Sequence, residues 1–167
     1  MASTPEFRPV ALLRRLAAAQ VDFVVIGGVA VATQGYGRST DDLDITYDTG
    51  AENLERLGGV LLSLHARLRG VADDVPFIPD ARTLRRVQLL TLDTDDGALD
   101  LLVDPAGAAP YAELRTRADP IELEGVEIRV VALNDLLAMK RAAGRPQDLA
   151  DVEALETARR LRDEGLR

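Results

Sequence analysis

The sequence contains no cysteine, and its single histidine is His65. Without cysteine the chain can form neither a disulfide nor a thiolate zinc site, which is compatible with a reducing compartment. One histidine is too few for a His/Cys metal cluster, so any bound metal must be held by carboxylate oxygens. Oxygen ligands favour hard cations, and the candidate metals are therefore ions such as Mg²⁺ or Mn²⁺.

Long apolar runs and a surplus of basic residues are also missing. The longest apolar stretches, such as residues 21–26, are too short to span a bilayer, and residues 1–10 lack the apolar core of a signal peptide. We therefore expect a soluble, cytoplasmic protein that does not enter a membrane. The formal net charge is -8, with 28 acidic against 20 basic residues, which argues against tight non-specific binding to nucleic acid.

The composition is that of an ordinary globular protein, with 47% hydrophobic and 29% charged residues. A length of 167 residues suits one compact domain, and the chain contains no repeat or linker that would divide it. We predict a single domain over residues 1–167, with C-terminal helices over about residues 133–163 packed on its core.

Hydrophobic periodicity divides the chain into helices and strands without a regular βαβ repeat. The predicted helices cover residues 5–19, 29–34, 51–66, 111–117, 133–143 and 146–163. The predicted strands cover residues 21–26, 43–47, 86–92, 99–103 and 126–131, and residues 70–80 are expected to form a loop. Residues 93–97 are rich in turn formers and predict a hairpin, hence one antiparallel pair of strands. The pattern indicates an α+β fold with a mixed β-sheet flanked by helices.

A pair of glycines follows the first buried strand. Gly27 and Gly28 end the strand of residues 21–26 and precede a helix. Without a Cβ the turn can pass close to a ligand, and free N–H groups at a helix N-terminus suit a phosphate. A plain strand-to-helix turn is the simpler explanation of a lone Gly-Gly pair, and the third glycine of the dinucleotide-binding pattern is missing.

Two aspartates alternate in the next strand. Asp42 and Asp44 point to the same face, while Leu43 between them enters the core. Neighbouring carboxylates repel each other, and a divalent cation that relieves the repulsion can hold a triphosphate during phosphoryl-type transfer. A solvated strand face would explain an isolated Asp-x-Asp pair. The glycine turn 14 residues before Asp42 favours the metal site.

Asp100 is a lone charge in the apolar strand of residues 99–103. A carboxylate beside a core needs a partner, because an unpaired buried charge is costly. On a strand next to Asp42 and Asp44, it would complete a site of three carboxylates. The alternative is that Asp100 pairs with an arginine at the edge of the sheet.

Charged residues surround the junction of the two C-terminal helices. Lys140 lies in the first helix and Arg145 at the junction, whereas Asp148 and Asp151 share a face of the second helix. Lys140 and Arg145 are suited to contact triphosphate oxygens. Alternatively, the two cations are surface charges, and the aspartates complement the dipole of the second helix.

These residues together resemble the nucleotidyltransferase superfamily, whose fold is that of DNA polymerase beta. The similar pattern consists of Gly27, Gly28, Arg38, Thr40, Asp42, Asp44 and Asp100. The run of residues 134–151 resembles the AbiEii/AbiGii type, known from type IV toxin–antitoxin and phage-abortive systems. The resemblance covers about residues 21–155.

The resemblance implies a catalytic site that holds two Mg²⁺ or Mn²⁺ ions. The implied metal ligands are Asp42, Asp44 and Asp100. The implied nucleotide-binding residues are Gly27, Gly28, Arg38, Thr40, Lys140 and Arg145. Lys140 is also expected to act in catalysis at the phosphates, and Asp148 to help activate the acceptor hydroxyl.

The implied activity is metal-dependent transfer of a nucleoside monophosphate from an NTP to an acceptor hydroxyl. Its candidate acceptor is tRNA, in a toxin-like protein with a cognate antitoxin as partner. A basic patch at Arg67 and Arg69, or at residues 82–86, would favour RNA. Two alternatives stay open, namely a small-molecule (antibiotic) nucleotidyltransferase and an inactive binding or regulatory module of the same fold. The chain departs from the family pattern where Gly28 replaces a frequent serine, and it lacks the extra domain with which larger relatives hold RNA.

Overall fold

The computed structural model describes residues 5–165. Within these residues the strands are β1 Phe23–Ile26, β2 Asp42–Tyr47, β3 Arg67–Leu68, β4 Leu89–Thr94, β5 Gly97–Leu102, β6 Asp119–Leu123 and β7 Val126–Val130. The helices are α1 Pro9–Ala18, α2 Gly27–Thr33, α3 Ala51–Ser63, α4 Ala81–Arg86, α5 Tyr111–Arg117, α6 Leu133–Ala143 and α7 Pro146–Asp163. Residues 1–4 and 166–167, which the single-domain prediction includes, lie outside the described residues.

The strands of the described residues form one sheet in the order β3-β4-β5-β2-β1-β7-β6. β1 runs antiparallel to β2 and parallel to β7, and β2 runs parallel to β5. The pairs β3–β4, β4–β5 and β6–β7 are antiparallel, and β4–β5 is the hairpin predicted from residues 93–97. The sheet is therefore mixed, and helices flank it, which confirms the predicted α+β class.

The central strands β2 and β5 have one covered face. Their fully buried side chains on that face are Leu43, Ile45, Leu99 and Leu101. These side chains belong to one core with buried leucines of α1 and α3. Because successive side chains of a strand alternate between the two faces, Asp44 and Asp100 lie on the opposite face. We call the face of β2, β5 and β4 that carries these aspartates the carboxylate face.

Three short elements were absent from the sequence prediction, namely β3, α4 and β6. The predicted strand of residues 86–92 was wrong at its start, because α4 extends to Arg86 and β4 begins at Leu89. The N-cap of α4 is Asp80, whose carboxylate accepts a hydrogen bond from the backbone N–H of Thr83 at 2.8 Å. β6 contains Pro120, a residue that argues against a strand but is tolerated in an edge strand such as this one.

The helices α5, α6 and α7 have the predicted bounds. Gly144, in the left-handed conformation with φ of 66°, ends α6, and Pro146 begins α7. In contrast, α1 begins at Pro9 rather than at residue 5, because proline is favoured in the first turn of a helix. No helix of residues 5–165 combines the length and the apolar character needed to cross a membrane.

Candidate active site

Strand register brings the three predicted carboxylates together. In the parallel pair β2–β5, Asp44 lies opposite Asp100, and Asp42 lies two residues before Asp44 on the same face. One oxygen of each carboxylate lies within 4.8 Å of the others. Leu43, between the two aspartates, is fully buried in the core. The local alternation and the register of the two strands thus place three acidic groups around one point.

The glycine turn packs directly against this strand. Gly27 has φ of 68°, and a Cβ at this position would lie 2.1 Å from Oδ2 of Asp44. A Cβ on Gly28 would lie 2.6 Å from Oγ1 of Thr40 and 3.4 Å from Nη2 of Arg38. Both positions therefore exclude a side chain, because Asp44 of β2 and the segment leading into β2 occupy the space. The hydroxyl of Thr40 fills the place where a serine at position 28 would stand.

The clustering of acids makes their ionisation unfavourable. Burial raises the pKa of Asp44 to about 7, and repulsion from Asp42 and Asp100 adds to this effect. Lys140 and the backbone N–H of Gly28 act in the opposite direction. Burial also raises the pKa of Asp100, where the guanidinium of Arg69 opposes the rise and Asp42 adds to it. A divalent cation would relieve this repulsion, so the donor set fits a hard metal ion.

Asp151 is the centre of a buried charge cluster beside the carboxylates. Its carboxylate is fully buried and accepts two hydrogen bonds from Arg38, Nε to Oδ1 at 2.8 Å and Nη2 to Oδ2 at 3.0 Å. Nζ of Lys140 lies 3.0 Å from Oδ2, and Nε2 of Gln147 donates to Oδ1 at 3.2 Å. Burial opposes ionisation of Asp151, but the hydrogen bonds from Arg38, Lys140 and Gln147 outweigh it and lower the pKa.

Asp148 extends the same cluster at the start of α7. Nζ of Lys140 lies 3.3 Å from Oδ1 of Asp148, and Nε of Arg145 donates to Oδ2 at 2.7 Å. These contacts outweigh the effect of burial and lower the pKa of Asp148. The cluster holds three cations, Arg38, Lys140 and Arg145, against two carboxylates. These five groups together therefore carry a net charge of +1.

A cavity of about 470 Å³ opens over these groups. All the predicted site residues line it, namely Gly27, Gly28, Arg38, Thr40, Asp42, Asp44, Asp100, Lys140, Arg145 and Asp148. Apolar residues also line the cavity, among them Leu102, Leu136 and Met139, which were not predicted. A volume of this size is typical of small-molecule sites, and convergent polar groups against an apolar wall are usual in them.

Sequence reasoning missed the contact between Arg69 and Asp100. Nη2 of Arg69 donates to Oδ1 of Asp100 at 2.9 Å. Both alternatives for Asp100 are therefore found together. Asp100 pairs with an arginine at the sheet edge, and it also belongs to the three-carboxylate cluster. The sequence singles out Arg69 only as part of a basic patch that would favour RNA, and no local pattern links two residues that are 31 positions apart.

Comparison with known proteins places the chain in a family. Residues 10–166 match the model of a family described as nucleotidyltransferase of unknown function (DUF6036). No curated protein matches the chain. Among solved structures, the lincosamide antibiotic adenylyltransferase LnuA with lincomycin bound is similar with a TM-score of 0.59 and 16% identity, over 92% of this chain and 99% of that chain.

Two further solved structures share the fold. ANT(2")-Ia in complex with adenylyl-2"-tobramycin has a TM-score of 0.52 and 17% identity, over 92% of this chain and 91% of that chain. A Thermotoga maritima protein assigned as a nucleotidyltransferase has a TM-score of 0.51 and 18% identity, over 96% and 97% of the two chains. Because the family model matches nearly the whole chain, the protein belongs to the DUF6036 family of nucleotidyltransferases.

Proposed function

We propose that the protein transfers a nucleoside monophosphate from an NTP to the hydroxyl of a small acceptor molecule. The observation that carries the proposal is the convergence of Asp42, Asp44 and Asp100 within 4.8 Å at a cavity that Arg38, Lys140 and Arg145 also line. Acceptor oxygen would bond to the α-phosphorus as the bond to the β-phosphate oxygen breaks, pyrophosphate would leave, and the hydroxyl proton would pass to a carboxylate. We further propose that residues 1–167 act as one unit, in the cytoplasm.

Asp42, Asp44 and Asp100 would hold the divalent metal in this activity. All three donors are carboxylate oxygens, which suits Mg²⁺ or Mn²⁺. When bound, such an ion supplies charge stabilisation at the phosphates. Hydrogen bonds support two of the ligands, because Thr40 Oγ1 donates to Oδ1 of Asp42 at 3.3 Å and the Gly28 N–H stabilises the ionised form of Asp44.

The surplus cation of the buried cluster supports a triphosphate site. Arg145 is 76% exposed at its side chain and lines the cavity, so it can reach a ligand while it keeps its contact with Asp148. Lys140 is held between Asp148 and Asp151 and contributes a fixed charge. Arg38 and Thr40 lie against Gly28, at the turn where we place the phosphates.

We assign acceptance of the hydroxyl proton to Asp100 rather than to Asp148. Asp100 lies on the carboxylate face with a side chain that is 13% exposed, so an acceptor hydroxyl can reach it. The Asp148 side chain is only 1% exposed, and Arg145 and Lys140 lower its pKa. Asp148 would therefore act on the site by orienting these two cations.

A small acceptor is favoured over tRNA by the net charge of -8, which opposes binding to nucleic acid, and by the neighbours in structure. LnuA, described as a lincosamide antibiotic adenylyltransferase, and ANT(2")-Ia, solved with adenylyl-2"-tobramycin, are of similar extent. At 16–17% identity these neighbours show a shared fold only. The hypothesis for this protein is that its acceptor, like theirs, is a small molecule. The AbiEii-type relationship, tRNA as acceptor and an antitoxin partner remain predictions without such support.

The first test is calorimetric titration of each NTP, with Mg²⁺ or Mn²⁺, into the wild type and into an Asp42→Asn/Asp44→Asn variant. We expect metal-dependent binding that the variant loses, followed by pyrophosphate release when hydroxylated antibiotics are added as acceptors. Asp41→Asn is the matched control, because Asp41 is an exposed neighbour outside the metal cluster. No NTP binding by folded wild type would refute the enzyme and favour an inactive module. Transfer to tRNA alone would refute the small acceptor.

A further inference from the structure

Arg69 lies in the same cross-strand row as two of the proposed metal ligands. Its backbone N–H donates to the carbonyl oxygen of Thr91 at 3.0 Å, which continues the pairing of β3 with β4. Thr91 is paired with Asp100, and Asp100 is paired with Asp44. Paired residues of neighbouring strands point to the same face, so Arg69 reaches the carboxylate face from the edge of the sheet.

The guanidinium of Arg69 is fixed by three acceptors. Nη2 donates to Oδ1 of Asp100 at 2.9 Å and to the carbonyl oxygen of Leu92 at 2.8 Å. Nε donates to Oδ1 of Asp93 at 3.2 Å. The arginine fork is planar and rigid, so three contacts leave it little freedom. The side chain is 32% exposed, against 13% for that of Asp100.

We propose that Arg69 is a positioning residue for Asp100. It engages one oxygen of the carboxylate and leaves the other for a cation shared with Asp42 and Asp44. This inference rests on the proposed function, because it concerns the same metal site. Without Arg69, repulsion from the two other carboxylates turns Asp100 away from the cluster. Hydrogen-bond partners behind metal ligands commonly act in this way.

A purely electrostatic role for Arg69 leads to the opposite expectation. A guanidinium 2.9 Å from a ligand oxygen repels an incoming cation, so its removal would strengthen metal binding. If Arg69 positions Asp100, its removal weakens metal binding, because one of three ligands is lost or misplaced. The direction of the change in affinity therefore separates the two roles.

The test is calorimetric titration of Mn²⁺, in the presence of an NTP, into the wild type, Arg69→Ala and Arg69→Lys. We expect Arg69→Ala to weaken Mn²⁺ binding by roughly 10- to 100-fold, the usual effect of removing a partner behind a metal ligand. The Mn²⁺ affinity of Arg69→Lys should lie between those of the wild type and Arg69→Ala, because an ammonium group cannot hold Asp100, Asp93 and Leu92 together. The control is Arg67→Ala, since Arg67 lies on the same edge and has only a 3.9 Å contact with Asp73.

The outcomes separate this inference from the proposed function. Mn²⁺ affinity of Arg69→Ala that equals or exceeds that of the wild type overturns the positioning role alone. No Mn²⁺ binding by the wild type overturns the metal site and the role of Arg69 together. Circular dichroism and Tm identify a folding defect, and if Arg69→Ala does not fold, the same comparison with Arg69→Lys decides. At saturating Mn²⁺ the affinity for NTP should equal that of the wild type, because Arg69 does not line the cavity.

Discussion

Asp151→Ala tests whether the buried charge cluster holds α7 on the sheet. The wild-type carboxylate is fully buried and accepts hydrogen bonds or ion pairs from Arg38, Lys140 and Gln147. Alanine removes the acceptor but leaves Lys140, whose side chain is 9% exposed, and Arg38, whose side chain is 22% exposed. Two cations then lose their shared counter-ion in a site with little access to water.

The expected loss is about 3–5 kcal/mol in the free energy of unfolding, the usual cost of removing one partner of a buried ion pair. For a chain of this length, 1 kcal/mol corresponds to about 2–4 °C in Tm, so the expected fall in Tm is roughly 6–20 °C. Asp148 moderates the loss, because it remains 3.3 Å from Nζ of Lys140. The lower end of the range is therefore the firmer expectation.

Urea unfolding followed by circular dichroism measures this change, with Glu153→Ala as the control. Glu153 is exposed on the same helix, so its replacement should alter stability by less than about 0.5 kcal/mol. A double variant, Asp151→Leu with Lys140→Met, should recover part of the loss, because it removes both charges together. A cost below about 1 kcal/mol for Asp151→Ala would show that Lys140 and Arg38 find water or other partners, and would refute the reasoning.

Three further predictions concern the turn and the acids. Gly27→Ala should abolish metal-dependent NTP binding, because the new Cβ displaces Asp44. Gly35→Ala is the control, since Gly35 also has a positive φ but no neighbour within 4 Å of an added Cβ. It should lower stability in a thermal unfolding assay by only about 1–2 kcal/mol, the cost of backbone strain. Gly28→Ser should lose about 1–3 kcal/mol by overpacking, and Thr40→Gly in the same chain should restore part of it in urea unfolding. Asp44→Asn should raise the Tm of the metal-free protein more at pH 8 than at pH 5, and should change it little only below about pH 3.8. The folded-state pKa of about 7 exceeds the ordinary 3.8, so folded-state stability falls as pH rises between these values, and a Tm difference independent of pH would contradict this account.

Local patterns were sufficient to predict most individual parts of the candidate site. The alternation of Asp42, Leu43 and Asp44 determines which side chains share a face, since the period of a strand is two. Gly144 and Pro146 mark the junction of α6 and α7, because each has a strong preference for its position at a helix end. These signals lie within a few residues of the feature they predict.

Local patterns do not determine contacts between distant segments, so the meeting of Asp100 with Asp42 and Asp44 was predicted only as one of two alternatives and through the family resemblance. The parallel register that sets Asp44 opposite Asp100 depends on two strands separated by α3, β3, α4 and β4. Lys140 was predicted to contact triphosphate. Its contacts with Asp148 and Asp151 were not predicted, because they depend on the packing of α6 against α7. The contact of Arg69 with Asp100 depends on β3, an edge strand of two residues that has no periodicity to detect.

The ion pair of Arg38 with Asp151 joins residues 113 positions apart. During synthesis the N-terminal part of a chain emerges first, so the acidic residues of β2 and β5 leave the ribosome before α6 and α7 exist. A nascent chain that ends before residue 133 has the acidic triad but lacks Lys140, Arg145 and the counter-ion of Arg38. Competence for nucleotide chemistry would therefore arise only after α6 and α7 have been synthesised, and products that terminate before residue 133 would be inert.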